Sequence, residues 1–508
     1  MQITVLDYLD RTASMFPDKT AFKDQKESVT FGELRDKGRA IASALLPLAG
    51  SMTGHRVAIA VDRTVRPIIA FMGALYSGGC YVPIDVHMPA DRMKMILDTA
   101  QPVAIIDGTC SRFRLPEEIY QQYSVLQYEE LCHTPCNEQA LAGMRRNMAD
   151  TDPIYILFTS GSTGVPKGVC VSHRAVIDFT DWLAQSVNIT SDDVLGNQAP
   201  FYFDVAGKDI YLALKCGVTV NILTPSMFSF TGTLMKKLNA EKITVVFWAA
   251  AAVRMVASSG ILKKNPPQYL RCVGFGGEVL PVRWLNEWRQ VLPDAIFMNM
   301  YGPTETTIDC TYYIVDREYT DEEELPIGIA CENMQAFLVD EEGRLVTEPN
   351  KQGELCIKGT GLALGYFNAP EKTAENFRQN PLHNFYPDTV YFTGDLCQYK
   401  EDGMIYFIAR KDNQIKHQGY RIELGEIETA VNGVEGVEVA VCLFDKENDV
   451  IICVYQGSTE QEAMPEIMLD RLPKYMMPGN FVRMDKLPLN ANGKVDRVLL
   501  KNELINQN

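Results

Sequence analysis

The stretch Tyr155-Ile-Leu-Phe-Thr-Ser-Gly-Ser-Thr-Gly-Val-Pro-Lys-Gly-Val169 joins an apolar run to a loop of hydroxyls and glycines. Ile154, Ile156, Leu157 and Phe158 predict a buried strand, although an apolar run this short does not by itself exclude a helix segment. Thr159, Ser160, Gly161, Ser162, Thr163 and Gly164 then form a donor-rich loop in which glycine lets backbone N–H groups face an anion. Lys167 adds a mobile point charge suited to phosphate. The spacing is not that of a Walker A loop. By composition alone this is either a phosphate cradle or a Ser/Gly surface turn beside an unrelated lysine, and the rest of the chain has to decide.

At 508 residues the chain is too long for one ordinary core, so two or more domains are expected. Its 46% apolar and 22% charged content is that of a soluble globular protein. A net charge of −17 argues against generic nucleic-acid binding, which needs a basic face. The N-terminus lacks a signal-peptide pattern and no long apolar run predicts a membrane span. The thirteen scattered cysteines read as reduced thiols, as expected in the cytoplasm. Cys132 and Cys136 are a close pair, but no second ligand pair for a zinc site is visible nearby.

Moving outward, strands at Val57–Val61, Cys80–Asp85 and Val103–Asp107 alternate with helical stretches such as Pro67–Tyr76, which predicts parallel α/β layers. Residues 110–150 read as a polar, irregular connection. Beyond the loop, a helix is expected at Val176–Val187 and a strand over Val194–Asp204. Further strands are expected at Val218–Leu223, Val245–Trp248, Arg271–Glu278 and Ile296–Tyr301. From about residue 316 short strands and hairpin turns at Glu342-Gly343 and Asp402-Gly403 predict a β-rich subdomain. After a polar break at 409–413, a helix at Glu423–Val431 and strands at Val437–Phe444 and Val450–Tyr455 predict a small α+β C-terminal domain, with the division placed at 411/412.

Several of these strand ends carry a distinctive residue set. Thr159–Gly168, Tyr301-Gly-Pro-Thr-Glu305, Tyr391-Phe-Thr-Gly-Asp395, Gln414–Glu428 and Asn492-Gly-Lys494 together resemble the AMP-forming adenylating superfamily of acyl-CoA synthetases, luciferases and nonribosomal adenylation domains. Gly79–Asp85 and Leu472–Pro478 fit as weaker matches, so the resemblance covers nearly the whole chain. Within that superfamily Asp178–Leu183, Asn197–Phe201 and Gly277–Pro281 are most similar to stand-alone D-alanine–carrier protein ligases. The chain holds one such unit without a carrier or condensation domain, which suits a free-standing ligase.

The resemblance implies a large multi-subdomain N-terminal domain, a small mobile C-terminal domain, and a two-step reaction. A carboxylate attacks the α-phosphate of ATP, and a thiol of phosphopantetheine on a carrier protein, or of CoA, then displaces AMP. It implies that Thr159 to Gly164 and Lys167 hold the β- and γ-phosphates, that Glu305 ligates Mg²⁺, and that Thr304 contacts the α-phosphate. Asn299, Met300 and Tyr301 would line the adenine, followed by Gly302 and Pro303. Asp395 would hold the ribose hydroxyls, and Arg410 would lie near ribose and phosphate. Lys494 would bridge the substrate carboxylate and the α-phosphate, with Asp412 as the hinge that brings it in and withdraws it. Ala409 departs from the family's usual glycine before Arg410.

For the acyl substrate, the resemblance makes Asp204 the partner of an α-ammonium, where fatty-acid and aryl-acid members typically lack an acid; the alternative reading of Asp204 is a helix N-cap. The implied lining is Val205, Lys208, Phe247, Val273, Phe275, Met300, Ile308 and Asp309, made narrow by Phe247, Phe275 and Met300. Lys208 and Asp309 are unlike D-alanine ligases, and Gly276 stands where those often have a cysteine. The lysine and aspartate either pair with each other or leave Lys208 for an acidic or polar side chain. The expected substrate is a small or polar amino acid. The competing readings are an acyl-CoA ligase for a non-amino acid, which would tolerate loss of Asp204, and a non-catalytic binding module, against which Lys167, Glu305, Asp395 and Lys494 speak.

Overall fold

The computed structural model describes residues 3–50, 52–110, 115–161, 166–411, 414–488 and 495–505. Its contacts separate two units. The first comprises Met1–Val86, Thr99–Leu157 and Gly168–Ala409, and the second His87–Asp98, Phe158–Lys167 and Arg410–Asn508.

The first unit is built on two largely parallel sheets. One has nine strands, in the spatial order 329–330, 311–314, 296–301, 272–276, 245–249, 194–197, 219–222, 20–23 and 28–30. The other has seven, in the order 365–366, 167–172, 153–159, 80–85, 56–61, 104–107 and 125–127. Parallel strands need both faces covered, and the central runs are largely apolar: Val57 to Val61 are all buried. Helix Arg66–Tyr76, buried from Pro67 to its end, lies on the seven-stranded sheet, and helix Ala206–Cys216 lies on the nine-stranded one. They belong to one core in which Phe71 stacks on Tyr81 at 4.1 Å and the Tyr81 and Tyr211 hydroxyls meet at 2.6 Å. Helix Ala206–Cys216 stops at Gly217, whose φ of 73° a residue with a side chain rarely adopts.

The opposite face of the nine-stranded sheet is covered by helices Thr231–Ala240, Ala250–Ser258 and Val282–Val291. There Trp248 and Trp288 are buried with their indole N–H groups satisfied by Gly196 O at 2.8 Å and Val253 O at 3.0 Å. The predicted β-rich part is an antiparallel sheet of strands 345–346, 334–339, 352–359, 389–399 and 377–379, with 405–410 added to 389–399. Both predicted hairpin turns are present, with Gly343 at φ 76° and Gly403 at φ 74°.

In the second unit the hairpin Gln414–His417 and Tyr420–Glu423 leads into helix Leu424–Asn432, which packs on strands 437–445, 450–457 and 480–484. None of the thirteen cysteines is in a disulfide. No helix among the described residues is long and apolar enough to cross a membrane.

Two expectations need correction. Residues 110–150 are not irregular: they include helix Glu138–Asn147, begun by Asn137, whose side chain accepts from Ala140 N–H. The strand expected over Val194–Asp204 ends at Asn197. Pro200 lacks a donor, and Phe203 N–H turns back to Pro200 O, so the segment to Asp204 leaves the sheet as turns.

Candidate functional site

In doubly wound sheets, binding crevices open at the carboxyl ends of parallel strands. Four such ends, at Asn197, Ala249, Gly276 and Tyr301, lie side by side in the nine-stranded sheet. Asp204 sits in the turn entering helix Ala206–Cys216, where its carbonyl accepts from Gly207 N–H at 2.7 Å. The residue is half-buried, and its carboxylate takes a hydroxyl hydrogen bond from Thr304 and one from Val205 N–H. Burial raises its pKa to about 6; the Thr304 bond opposes this, the charge of Asp309 adds to it, and Lys208 opposes it again. Asp204, Thr304, Lys208 and Asp309 therefore share one electrostatic site.

Strand register sorts the remaining lining. Phe247 pairs with Gly274, and Gly276 with Met300, so these four residues face the same side of the sheet as one another. A Cβ on Gly274 would come within 2.4 Å of the Phe247 ring, and one on Gly276 within 2.3 Å of Met300 O. Val273 and Phe275, expected in the pocket, alternate to the other face and belong to the core around Trp248 and Phe297. They do not share the face of Gly276 and Met300; Gly274, not anticipated from the sequence, does, and strict two-residue alternation from Gly276 was the signal for it. Ile308 and Met300 lie in the core on the pocket side, and Val205 is half-buried against it.

Lys208 and Asp309 form a buried ion pair. Their side chains are 3% and 5% exposed, and Lys208 Nζ lies 2.7 Å from Asp309 Oδ2. The ammonium also lies 3.6 Å from Met300 Sδ and 5.9 Å from the centre of the Phe247 ring. Asp309 is held by an unusual loop: Thr307 and Ile308, both β-branched, have φ of 59° and 72°. Such conformations cost on the order of 1–3 kcal/mol each and need surrounding support. Support comes from the Thr307 hydroxyl on Gly361 O at 2.7 Å and from Cys310 N–H on Tyr301 O at 2.8 Å. Gly302 permits the close return, since a Cβ there would lie 2.4 Å from Asp309 Cα.

Pro303 leads into the short 3₁₀ turn Thr304–Thr306. Glu305 in that turn is wholly buried and accepts the Tyr366 hydroxyl at 2.8 Å. Asp395, nearly buried, accepts the Tyr301 hydroxyl, and its N–H donates to Thr393 Oγ1 at 3.0 Å. Asn299 donates to Pro326 O at 2.8 Å. Tyr366 and Thr393 were not anticipated, because nothing in sequence links them to carboxylates so far away. The donor chemistry fits Mg²⁺: a hard cation that keeps waters and phosphate oxygens needs only one or two protein carboxylates, and Glu305 is oriented by the Tyr366 hydroxyl.

In the second unit, Ser160 is buried and its hydroxyl donates to Arg421 O at 2.9 Å. Thr159, buried Gly161, Lys167 and Arg410 belong to the same unit. Arg92, also unanticipated, makes a buried ion pair with Glu426 there. Ser162, Thr163, Gly164, Asp412 and Lys494 lie outside the described residues.

Residues 9–367 match the model of a family described as AMP-binding enzyme. The chain is 33% identical over 497 residues to an L-proline–[L-prolyl-carrier protein] ligase of Streptomyces coelicolor, covering 92% of this chain and 91% of that one. It is 34% identical over 504 residues to bacitracin synthase 1 of Bacillus licheniformis, where 98% of this chain spans 9% of the relative's length. Among solved structures, an NRPS protein containing adenylation and PCP domains superposes with a TM-score of 0.85 at 27% identity, covering 99% of this chain and 84% of that one.

Proposed function

The chain belongs to the AMP-binding enzyme family, and we propose that this ligase activates an amino acid as its aminoacyl-adenylate and transfers it to the phosphopantetheine thiol of a carrier protein. ATP and Mg²⁺ are the reagents of the first step. Glu305 would hold the Mg²⁺, which when bound would supply positive charge to phosphate oxygens. The chain's own groups do the rest. Asp204 fixes the α-ammonium and so aims the substrate carboxylate. Thr304 bonds to Asp204 and stands beside Glu305, at the junction of the amino-acid and nucleotide sites. Tyr301 holds the Asp395 carboxylate in place for the ribose hydroxyls, and Asn299, tied to Pro326, borders the base. Thr159 to Gly164, Lys167 and Arg410 contribute donors and positive charge for phosphate. We assign residues 1–411 to the adenylating body and 412–508 to a mobile domain that turns at Asp412 and carries Lys494 to the attacking carboxylate. Holding reactants in attack geometry and stabilising charge on phosphate oxygens is enough to drive this chemistry without an acid–base pair.

The observation that carries the reading is Asp204. It is a half-buried residue in the turn that enters helix Ala206–Cys216, beside Thr304, and its pKa of about 6 leaves it ionised at neutral pH. Together Asp204 and Asp309 outweigh the single Lys208 cation, and the remaining negative charge favours a cationic ligand group. The test is amino-acid-dependent ATP–pyrophosphate exchange with the common L-amino acids, glycine and D-alanine. Exchange with a particular amino acid, lost in Asp204→Ala, is expected. Exchange that depends on a non-amino carboxylic acid and survives Asp204→Ala would instead identify an acyl-CoA type ligase.

A further inference from the structure

The Lys208–Asp309 pair, read together with the proposed amino-acid activation on which this inference rests, defines the substrate side chain. Three features matter. First, the pair neutralises itself: Nζ and Oδ2 are 2.7 Å apart and both side chains are sealed from solvent. Second, the pair is misaligned. Asp309 Oδ2 is buried without a partner in hydrogen-bond geometry, so its contact with Lys208 is a charge contact that leaves an acceptor unfilled. Third, the site is built to hold this arrangement, since the carboxylate hangs on the strained Thr307-Ile308 turn packed on Gly302, and the ammonium is bounded by Met300 and the Phe247 ring.

Charge counting excludes the ionised side chains. Asp204, Lys208 and Asp309 sum to one negative charge, which one α-ammonium cancels. A carboxylate side chain would add an unpaired buried anion, and an ammonium or guanidinium would press a second cation against Lys208. An aliphatic side chain would leave Asp309 Oδ2 unfilled, and a buried unsatisfied acceptor is costly. We propose that the substrate is an uncharged amino acid whose side chain both donates and accepts a hydrogen bond, a carboxamide or a hydroxyl, donating to Asp309 and accepting from Lys208. The Phe247 and Met300 surfaces would then cover its methylene portion, with Gly274 and Gly276 adding no side chain of their own.

The test is the exchange assay run on shape-matched pairs with the wild-type enzyme: serine against 2-aminobutyrate, threonine against valine, asparagine and glutamine against leucine and methionine, and aspartate, glutamate, lysine and ornithine as charged controls. A site built around hydrogen bonds to the substrate rejects the analogue lacking them strongly. The expected result is a kcat/KM at least about 100-fold higher for one hydroxyl or carboxamide substrate than for its apolar counterpart, with the charged controls inactive. The variant Lys208→Met/Asp309→Leu, which replaces both charges at once, is expected to narrow that ratio to within about tenfold or to reverse it. Best activity on an apolar or charged amino acid, still dependent on Asp204, would overturn this inference and leave amino-acid activation standing. No exchange with any amino acid, alongside turnover of a non-amino acid, would remove both. The wild-type panel decides these outcomes even if the double variant does not fold.

Discussion

Two groups of carboxylates meet helix Ala206–Cys216 and have different surroundings. At the pocket, Asp204 keeps some accessible surface and a pKa of about 6, and Asp309 faces Lys208. In the first turn of helix Ala206–Cys216, Asp209 is buried in the core. One oxygen accepts Asn197 Nδ2 at 2.8 Å and the other has no hydrogen-bond partner, and burial raises its pKa to about 7. Nearby, Arg63 spends its donors on the carbonyls of Asn197, Ala199 and Leu223 where the chain leaves the sheet. Both regions strain against burial of negative charge. At the first, the carboxylates share the Lys208 ammonium and border the proposed amino-acid site; at the second, Asp209 is enclosed away from that site, so its protonation affects stability. Proton uptake at the first should therefore appear in substrate binding, and at the second in unfolding.

The largest effect expected is on the pocket's ion pair. Lys208→Met leaves Asp309 buried and alone, and removal of one partner of a buried pair typically costs about 3–5 kcal/mol. Urea unfolding should show that loss, and Lys208→Met/Asp309→Leu should recover most of it. A loss below about 1 kcal/mol in the single variant would mean that the pair is already hydrated, and the contrast with the core would weaken. Next comes Asp204→Asn. It removes a charge-assisted contact to the proposed ammonium, which is worth up to about 3 kcal/mol, so kcat/KM for the amino acid should fall about 100-fold while the melting temperature stays the same or rises. A collapse of stability instead would place Asp204 with Asp209 as a structural carboxylate.

Asp209→Asn probes the core side. Because the folded pKa of about 7 lies above the ordinary value of 3.8, this group favours the fold when protonated; its contribution is complete below pH 3.8 and is lost as pH rises through 7. The amide does not ionise. The variant should therefore gain on the order of 1–2 kcal/mol over the wild type at pH 8 and little at pH 4, with the amino-acid KM unchanged. A difference independent of pH would show that the carboxyl stays neutral throughout.

The two regions also differ in how far sequence exposed them. Strands such as Val245–Ala249 and Ile296–Tyr301 were legible because a fully buried parallel strand is a continuous apolar run. Asp204, Lys208 and Asp309 were legible as residues, and their pairing as one of two options. The φ values of Thr307 and Ile308 were not, since β-branched residues are the last that local preference would place there. Nor was the early end of the strand at Asn197, where side-chain bonds to Asp209 and backbone turns replace the ladder over a stretch whose aromatic residues look strand-like. The face error at Val273 and Phe275 came from carrying a lining across by position; a one-residue shift along a strand reverses every side chain. Helix Glu138–Asn147 was hidden because its apolar positions are few and it owes its start to a side-chain cap.

The smallest effect expected separates the pocket carboxylate from the core one by titration. Asp204 must be ionised to hold an ammonium, so the amino-acid KM of the wild type should rise about tenfold per pH unit below a midpoint near 6. The Thr304 hydroxyl bonds to the ionised form and lowers that midpoint. Thr304→Val keeps the shape and removes the bond, so the midpoint should move up by roughly half a unit to one unit, and KM at pH 7 should rise several-fold and recover by pH 8. Loss of a phosphate contact by the same substitution would lower kcat at every pH without moving the midpoint, so the two roles of Thr304 read out separately. A KM midpoint that stays near 6 in Thr304→Val would show that the hydroxyl does not support the carboxylate. A midpoint that follows Asp209→Asn instead would show that the core group, not Asp204, sets the pH response of binding.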